Sequence, residues 1–592
     1  MRLIHIYLKS IGRCIYSVLA VFLYSIIGLL LSFYGFKTHS ATLTDKQFIV
    51  NYDIEYLIDD KGEVKVNQDV TLINQKNDVV PTNYNFTMKN QRITNAVAET
   101  NGKSVNPIVK NTNEGSELTL SILNPAIGKD RKNKISLSYT VSGITKKTGG
   151  LWVISIPKIQ VPDSTEVYNV KVSIPNSFGP KMYFSPSPIL EKNEGDFSIY
   201  YLTKDTFKGS GVSAAFGASQ IVNFRIKYQL ENNSIFSTKY DIPLPPDIKK
   251  YQQVSYTYLE PKPLKIYSDE DGNSIARYKL KPKEKTEIEL IGSVKLSTPQ
   301  IDKDKGSALN MLSKQILSKY TKNQEYWITD SRRIIELVKS LKNNNTNIIR
   351  NAEEAYNYVV NNLEYDFDAV KKDTVERQGS EIALTQKGKW TCMEYSDLLI
   401  TILRAMGIPA REINGYAINE EEYSKPIGLN FNNGDLLHAW VEYYDPGLGW
   451  IQIDPTWGFT SGIDYFNKTD TNHFALVRKG ISSKTPFPPG TYRFKQNTNE
   501  KMIDIAYNEN VDKETFIPNL SAMKSSTLNI FKIIAGQKKY SLTNNGDTFI
   551  YFQKEDKELI LAPKQNMDIF LPKDTKYLEY MNINGSKYYL DL

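Results

Sequence analysis

The chain has 592 residues but only two cysteines, Cys14 and Cys392. The second stands in "GKWTCMEYSDLLITILRAMGIPAR", residues 388–411, where the neighbouring residues could turn a thiol into a nucleophile. Thr391-Cys392-Met393-Glu394 fits a capping box, with Thr391 as N-cap and Glu394 reaching back to it. Tyr395, Leu398, Leu399, Ile402, Leu403 and Met406 follow at helical spacing; Gly407 suits the C-terminal cap and Pro409 forbids continuation. Cys392 is therefore expected at the first helical position. There the unpaired N–H groups and the positive end of the helix dipole favour a thiolate. The same N–H groups can bind an oxyanion. The ordinary alternative is a buried small hydrophobe.

A thiolate nucleophile needs a base. Beyond residue 40 there are two histidines, His438 and His473. His438 lies in "LLHAWVEYYDPGLGWIQIDPTWG", which reads as two antiparallel strands joined around Asp445-Pro446-Gly447-Leu448. Side chains alternate along a strand, so His438, Trp440 and Glu442 share one face; Trp450, Gln452 and Asp454 share a face of the partner. If Glu442 pairs with Trp450, His438 lies directly opposite Asp454. A shift of two residues leaves them diagonal neighbours, still within about 7–8 Å at Cα. Either arrangement lets a carboxylate orient an imidazole that serves a thiol. Trp440, Trp450 and Trp457 read as core aromatics.

These residues carry a resemblance. "CMEYSDLLITILRAMGIPAREINGY" followed by "HAWVEYYDPGLGWIQIDPT" is similar to the core of the transglutaminase-like superfamily. "NLEYDFDA" looks like the segment that precedes the nucleophile helix there. The resemblance covers roughly residues 320–480. It implies a papain-like α+β core, with Cys392 as nucleophile, His438 as base and Asp454 as the orienting carboxylate. Animal transglutaminases have Gln before and Trp after the nucleophile, where this chain has Thr391 and Met393. Cross-linking of the animal type is therefore in doubt. No cofactor or metal is expected, and there is no Asp-rich calcium loop. Fold alone does not choose among cross-linking, peptide hydrolysis, amide hydrolysis and loss of activity.

The surrounding elements must position these groups. Length suggests about four domains. From about Phe48 to Leu296 short alternating strands and turns suggest two β-sandwiches, beginning with the hairpin "FIVNYDIEYLIDDKGEVKVNQDVTLIN". Helical spacing takes over at about Asp302, with stripes through Ile334, Leu337, Val338 and Leu341 and then Ala352, Ala355, Tyr356, Val359, Val360 and Leu363. After about residue 480 "FPPGTYRF" reads as a linker or loop. Asn545-Gly546 and Asn584-Gly585 are hairpin signals in an aromatic-rich tail. The expected class is α+β multidomain. Its parts are an N-terminal segment (1–40), β-sandwiches at 41–155 and 156–300, the thiol core at 301–480, and a linker with a small β domain at 481–592.

Arg2, Lys9 and Arg13 precede an uncharged run, residues 14–36, that is long enough to span a bilayer. It reads as an uncleaved anchor or as a signal peptide cut after Ser40, and either leaves residues 41–592 outside the cytoplasm. The first 40 residues hold four basic side chains (Arg2, Lys9, Arg13, Lys37) and no acidic ones, so only +3 of the net charge of +7 belongs to the remainder. That bias is too weak to suggest nucleic acid. The expected function is a membrane-tethered thiol enzyme acting on amide or peptide carbonyls of proteins or cell-wall peptides. The alternative is a catalytically silent envelope scaffold.

Overall fold

The structure, a computed structural model, describes residues 47–592 except 90, 113–114, 158–163, 208–210, 218, 300, 343–345, 370–374, 418–428, 432–434, 462–463, 467–468, 496–499, 509–512, 525–535 and 555–556. The apolar run at 14–36 lies outside the described residues. Among the described residues no helix is long and apolar enough to cross a membrane.

Among the described residues the chain is mostly β, in multiple sheets, with one helical cluster. Alternation builds the first hairpin: Phe48–Ile58 pairs antiparallel with Val64–Asn74. Val50, Tyr52, Ile54, Tyr56 and Ile58 all turn inward. This hairpin lies inside an eight-stranded sheet, where Phe48–Ile58 also pairs in parallel with Tyr168–Pro175. One hydrophobic core runs from Val50 to Phe216, so strands on both sides of the 155/156 division contribute to it. A second β unit follows, in which Gln220–Glu231 pairs along its length with Lys285–Leu296.

The helical cluster has the expected stripes. Helix Arg332–Leu341 buries Ile334 and Val338, and helix Ile348–Asn362 buries Ala352, Ala355, Tyr356 and Val359. Both cover the central helix Cys392–Ala405. On its other side this helix rests on an antiparallel sheet ordered Leu429–Phe431, Asp435–Asp445, Ala410–Ala417, His473–Lys479, with Gly449–Ile453 paired to Asp435–Asp445.

Two connections differ from expectation. The segment after residue 480 is not a free linker. Tyr492 O accepts from Gln229 N, and Ile503–Tyr507 adds a strand beside Gln220–Glu231. In the tail, Asn584-Gly585 does turn a hairpin between Tyr577–Met581 and Lys587–Asp591, with Gly585 at φ +84°. Asn545-Gly546 instead carries the chain from one sheet to another, since Gln537–Asn544 and Ile550–Lys554 do not pair. Its turn is held from the side: Asn544 Nδ2 donates to Thr548 O and Leu561 O, which favours a crossover over a ladder.

Candidate active site

The helix begins at Cys392 with Thr391 as its N-cap. Glu394 Oε2 accepts from the Thr391 backbone N at 3.1 Å and from Thr391 Oγ1 at 2.7 Å, while Oε1 accepts from Gln378 N at 2.9 Å. These bonds fix the entry angle of the chain and hence the position of Cys392. At the other end Gly407 takes φ +83°. Gly407 N donates to Arg404 O and Ile408 N to Leu403 O, both at 2.9 Å, the double closure of a Schellman motif.

The helix is more deeply buried than an amphipathic pattern implies. Leu398, Leu399, Ile402 and Leu403 are at most 1% exposed, each worth about 1.5–3 kcal/mol on burial. Its charged residues are buried as well, so they need partners. Asp397 accepts from Trp327 Nε1 at 2.7 Å and from both Nε and Nη2 of Arg377. Arg377 Nη2 also donates to Glu412 at 2.9 Å. Arg404 donates to the carbonyls of Ala410, Lys322 and Gly480.

His438 sits on strand Asp435–Asp445. The hairpin register pairs Glu442 with Gln452 and Tyr444 with Trp450, two residues away from the direct pairing considered above. The direct register would have put Pro446 alone at the apex, with Asp445 facing Gly447. The chain instead uses a three-residue loop in which Asp445 Oδ1 accepts from Gly447 N and Leu448 N and Gly449 adopts φ +85°. A left-handed residue closing such a loop is a common hairpin solution. Parity is preserved by a two-residue shift. His438 and Asp454 therefore stay on one face as diagonal neighbours, with His438 Nε2 2.9 Å from Asp454 Oδ2.

Asp454 is also a helix cap. Its Oδ1 accepts from Thr456 N at 2.9 Å and Trp457 N at 3.1 Å, at the start of helix Pro455–Ser461. Asp-Pro-Thr is thus an N-cap followed by Pro at the first helical position, where its missing N–H costs nothing. The backbone holds Oδ1 and leaves Oδ2 for imidazole.

Cys392, His438 and Asp454 are all at most 1% exposed. Burial alone would depress the His438 pKa, but the Asp454 charge and the hydrogen bonds of Asp454 and Cys392 raise it to about 9. Burial alone would raise Asp454; the two histidines that face it bring it down to about 2. With Nε2 on Asp454, the buried His438 Nδ1 has no partner besides the Cys392 thiol. It is the nitrogen left for Cys392, which packs against Ala439, the next residue along the strand, with Val375 and Met393 over it. Trp440 and Trp457 stack on the His438 ring at 5.9 and 5.4 Å between centroids. Both indoles are fully buried, so they are core aromatics as expected, and their faces also suit an imidazolium.

Sequence reasoning missed two residues. His473 Nε2 lies 3.1 Å from the same Asp454 Oδ2, and its Nδ1 lies 2.8 Å from Asp470 Oδ1. The Asp-x-x-His spacing and the scarcity of histidine were the available signals. His438, Asp454 and His473 offer three ligand atoms within 4.8 Å of one another. Those atoms already bond to each other.

A buried thiol at a helix start, beside a carboxylate-held imidazole on an antiparallel sheet, is the arrangement that a cysteine nucleophile of the triad kind would need. Residues 335–455 match the transglutaminase-like superfamily, so this part of the chain is similar to that superfamily. The chain is 24% identical over 301 residues to an uncharacterized protein, YebA, of Bacillus subtilis, covering 45% of this chain and 38% of that one. It is 43% identical over 68 residues to a protein-glutamine gamma-glutamyltransferase of Pseudomonas aeruginosa, covering 11% of this chain and 10% of that one. The chain thus spans well under half the length of these relatives. Among solved structures, a candidate cysteine protease of Cytophaga hutchinsonii aligns with 49% of this chain and 98% of its own, at 15% identity and a TM-score of 0.33.

Proposed function

We propose that this chain is an extracytoplasmic, membrane-tethered thiol enzyme that breaks amide or peptide bonds through a thioester on Cys392, with hydrolysis or transfer to an amine completing the cycle. The observation that carries the reading is the split of the His438 ring: Nε2 is held by Asp454 and Nδ1 is left to the Cys392 thiol. The Cys392 thiolate attacks the carbonyl carbon. Backbone N–H groups at the helix start stabilise the oxyanion. As the tetrahedral species collapses the C–N bond breaks, and the His438 imidazolium gives its Nδ1 proton to the leaving amine or ammonia. Water or a second amine then attacks the thioester, His438 takes its proton, and the C–S bond breaks to restore the thiolate. A His438 pKa raised to about 9 supports this sequence, because the imidazolium acid is present at neutral pH. The short match to a glutamine acyltransferase supports proteins as substrates and transfer as an outcome.

The test incubates the exported part with a glutamine-mimic electrophile, then with a peptide library and a labelled amine. A covalent adduct on Cys392, and amine incorporation or peptide cleavage that disappears in Cys392→Ala and His438→Ala, is expected. A folded protein that forms neither adduct nor product would leave the silent-scaffold reading standing.

A further inference from the structure

His473 lies beyond the region that matches the superfamily, residues 335–455, yet it bonds to the same carboxylate oxygen as His438. A count of protons shows its state. Asp454 Oδ1 accepts two backbone N–H groups, and Oδ2 faces both Nε2 atoms. Asp470 is likewise surrounded by donors: Tyr465 Oη at 2.7 Å and Asn472 Nδ2 at 3.5 Å on Oδ2, and Asn472 N at 3.0 Å and His473 Nδ1 on Oδ1. Both carboxylates therefore act as pure acceptors, and each His473 nitrogen must supply a hydrogen. A neutral ring would point a lone pair at an anion.

The geometry points to His473 as a positioning residue of the site, a buried imidazolium that bridges Asp454 and Asp470, fixes the Asp454 carboxylate and draws part of its charge away from His438. This rests on the thiol-enzyme reading for its catalytic meaning, although the bridge itself does not. The groups facing His473 are Asp454, Asp470 and His438, with Trp440, Trp457 and Tyr465 around the ring at 5.0, 4.6 and 5.8 Å between centroids. Tyr356 and Tyr365 complete the titratable set around Asp454. Burial opposes the charge on His473, but Asp470 and Asp454 outweigh it and raise its pKa to about 9.

The consequence is directional. A cation on the far side of Asp454 disfavours a proton on His438 and favours a thiolate at Cys392. Replacing it with the neutral amide of His473→Gln removes both effects, so both titrations move to higher pH. The experiment follows the rate of Cys392 alkylation by iodoacetamide from pH 4 to 10, which requires no turnover, in the wild type and in H473Q. The expected result is a profile displaced upward by about one pH unit, so alkylation on its rising limb is about tenfold slower at fixed pH. A profile that stays in place while only the melting temperature falls would overturn the proposal.

Should H473Q not fold, Asp470→Asn decides the matter through stability. The melting-temperature gap between wild type and D470N should be largest near pH 6 and shrink as pH rises through about 9, where His473 loses its proton. A gap that is constant from pH 6 to 10 would mean His473 is neutral. If the alkylation profile moves as expected but no substrate or adduct is ever found, the bridge stands and the enzyme reading fails.

Discussion

Asp454→Asn separates the electrostatic role of this residue from its structural one. The Asn oxygen can still accept from Thr456 N and Trp457 N, so the helix cap survives. Its NH2 group must then face His438 Nε2 and His473 Nε2, which lie 2.9 and 3.1 Å from Oδ2 in the wild type. A donor now opposes two donors, and His438 escapes by moving its hydrogen to Nδ1. That is the wrong tautomer, because Nδ1 can no longer take a proton from Cys392. The rise of His438 from 6.5 to about 9 corresponds to roughly 3 kcal/mol of preference for the imidazolium, most of which the amide forfeits. An equivalent change in a Ser-His-Asp triad lowers kcat by about 10⁴, and a loss of ~10³–10⁴ is expected here. The alkaline limb of any residual activity should fall from about pH 9 toward or below the usual histidine range. Alkylation by iodoacetamide at pH 6–7 should slow in parallel. Asp454→Ala should lose similar activity and in addition about 1 kcal/mol of stability with the cap. A D454N variant that keeps its activity within tenfold, with its alkaline limb still near pH 9, would refute the argument.

Other outcomes follow from the same contacts. Both buried imidazoles have folded-state pKa values near 9, above the unfolded value of about 6.5. Their contribution to stability is therefore complete below pH ~6.5 and lost as pH rises through about 9; a melting temperature that does not fall between pH 7 and 9.5 would contradict both shifts. Gly415→Ala puts a Cβ 2.3 Å from Phe474 O and 2.3 Å from the Trp440 ring; it should destabilise by ~1–3 kcal/mol and disturb the indole beside His438, measurable as a lower melting temperature with a disproportionate drop in thiol reactivity. For topology, protease added to intact cells should degrade residues 41–592, and complete protection of the C-terminal region would count against the outside orientation.

The sequence carried the helix around Cys392 well because its signals are local. An N-cap, a carboxylate three residues on, a 3.6-residue stripe and a Gly-x-Pro ending each act within a few residues. All four recur in the structure as the Thr391–Glu394 bonds, the buried face and the left-handed Gly407. Domain-scale organisation is a different matter. The pairing of Phe48–Ile58 with Tyr168–Pro175 joins strands more than a hundred residues apart, and nothing local in either strand announces it. Asn545-Gly546 failed as a hairpin signal for a related reason. The dipeptide reports a backbone preference, while the choice between turning back and crossing over rests on Asn544 reaching Thr548 and Leu561.

The site itself was legible where its geometry depends on parity and opaque where it depends on register and tertiary approach. Parity alone put His438 and Asp454 on a common face, and a two-residue shift does not change parity. The shift was decidable in principle, since the direct register leaves Pro446 as a one-residue turn, tighter than the loops of two or more residues that hairpins ordinarily use; counting loop residues before aligning side chains would have favoured the diagonal pairing. His473 was beyond such counting. It reaches Asp454 from a third strand, His473–Lys479, which pairs with Ala410–Ala417 and not with the hairpin. Only the order of strands in the sheet brings it there. What the sequence did offer was a satisfiability problem: a buried carboxylate with Oδ1 spent on a helix cap needs strong donors at Oδ2, and two histidines lie beyond residue 40 that could give them. Asp-Pro-Thr read first as an N-cap leaves one carboxylate oxygen unspent in an apolar core, and that oxygen calls for a second imidazole beside the first.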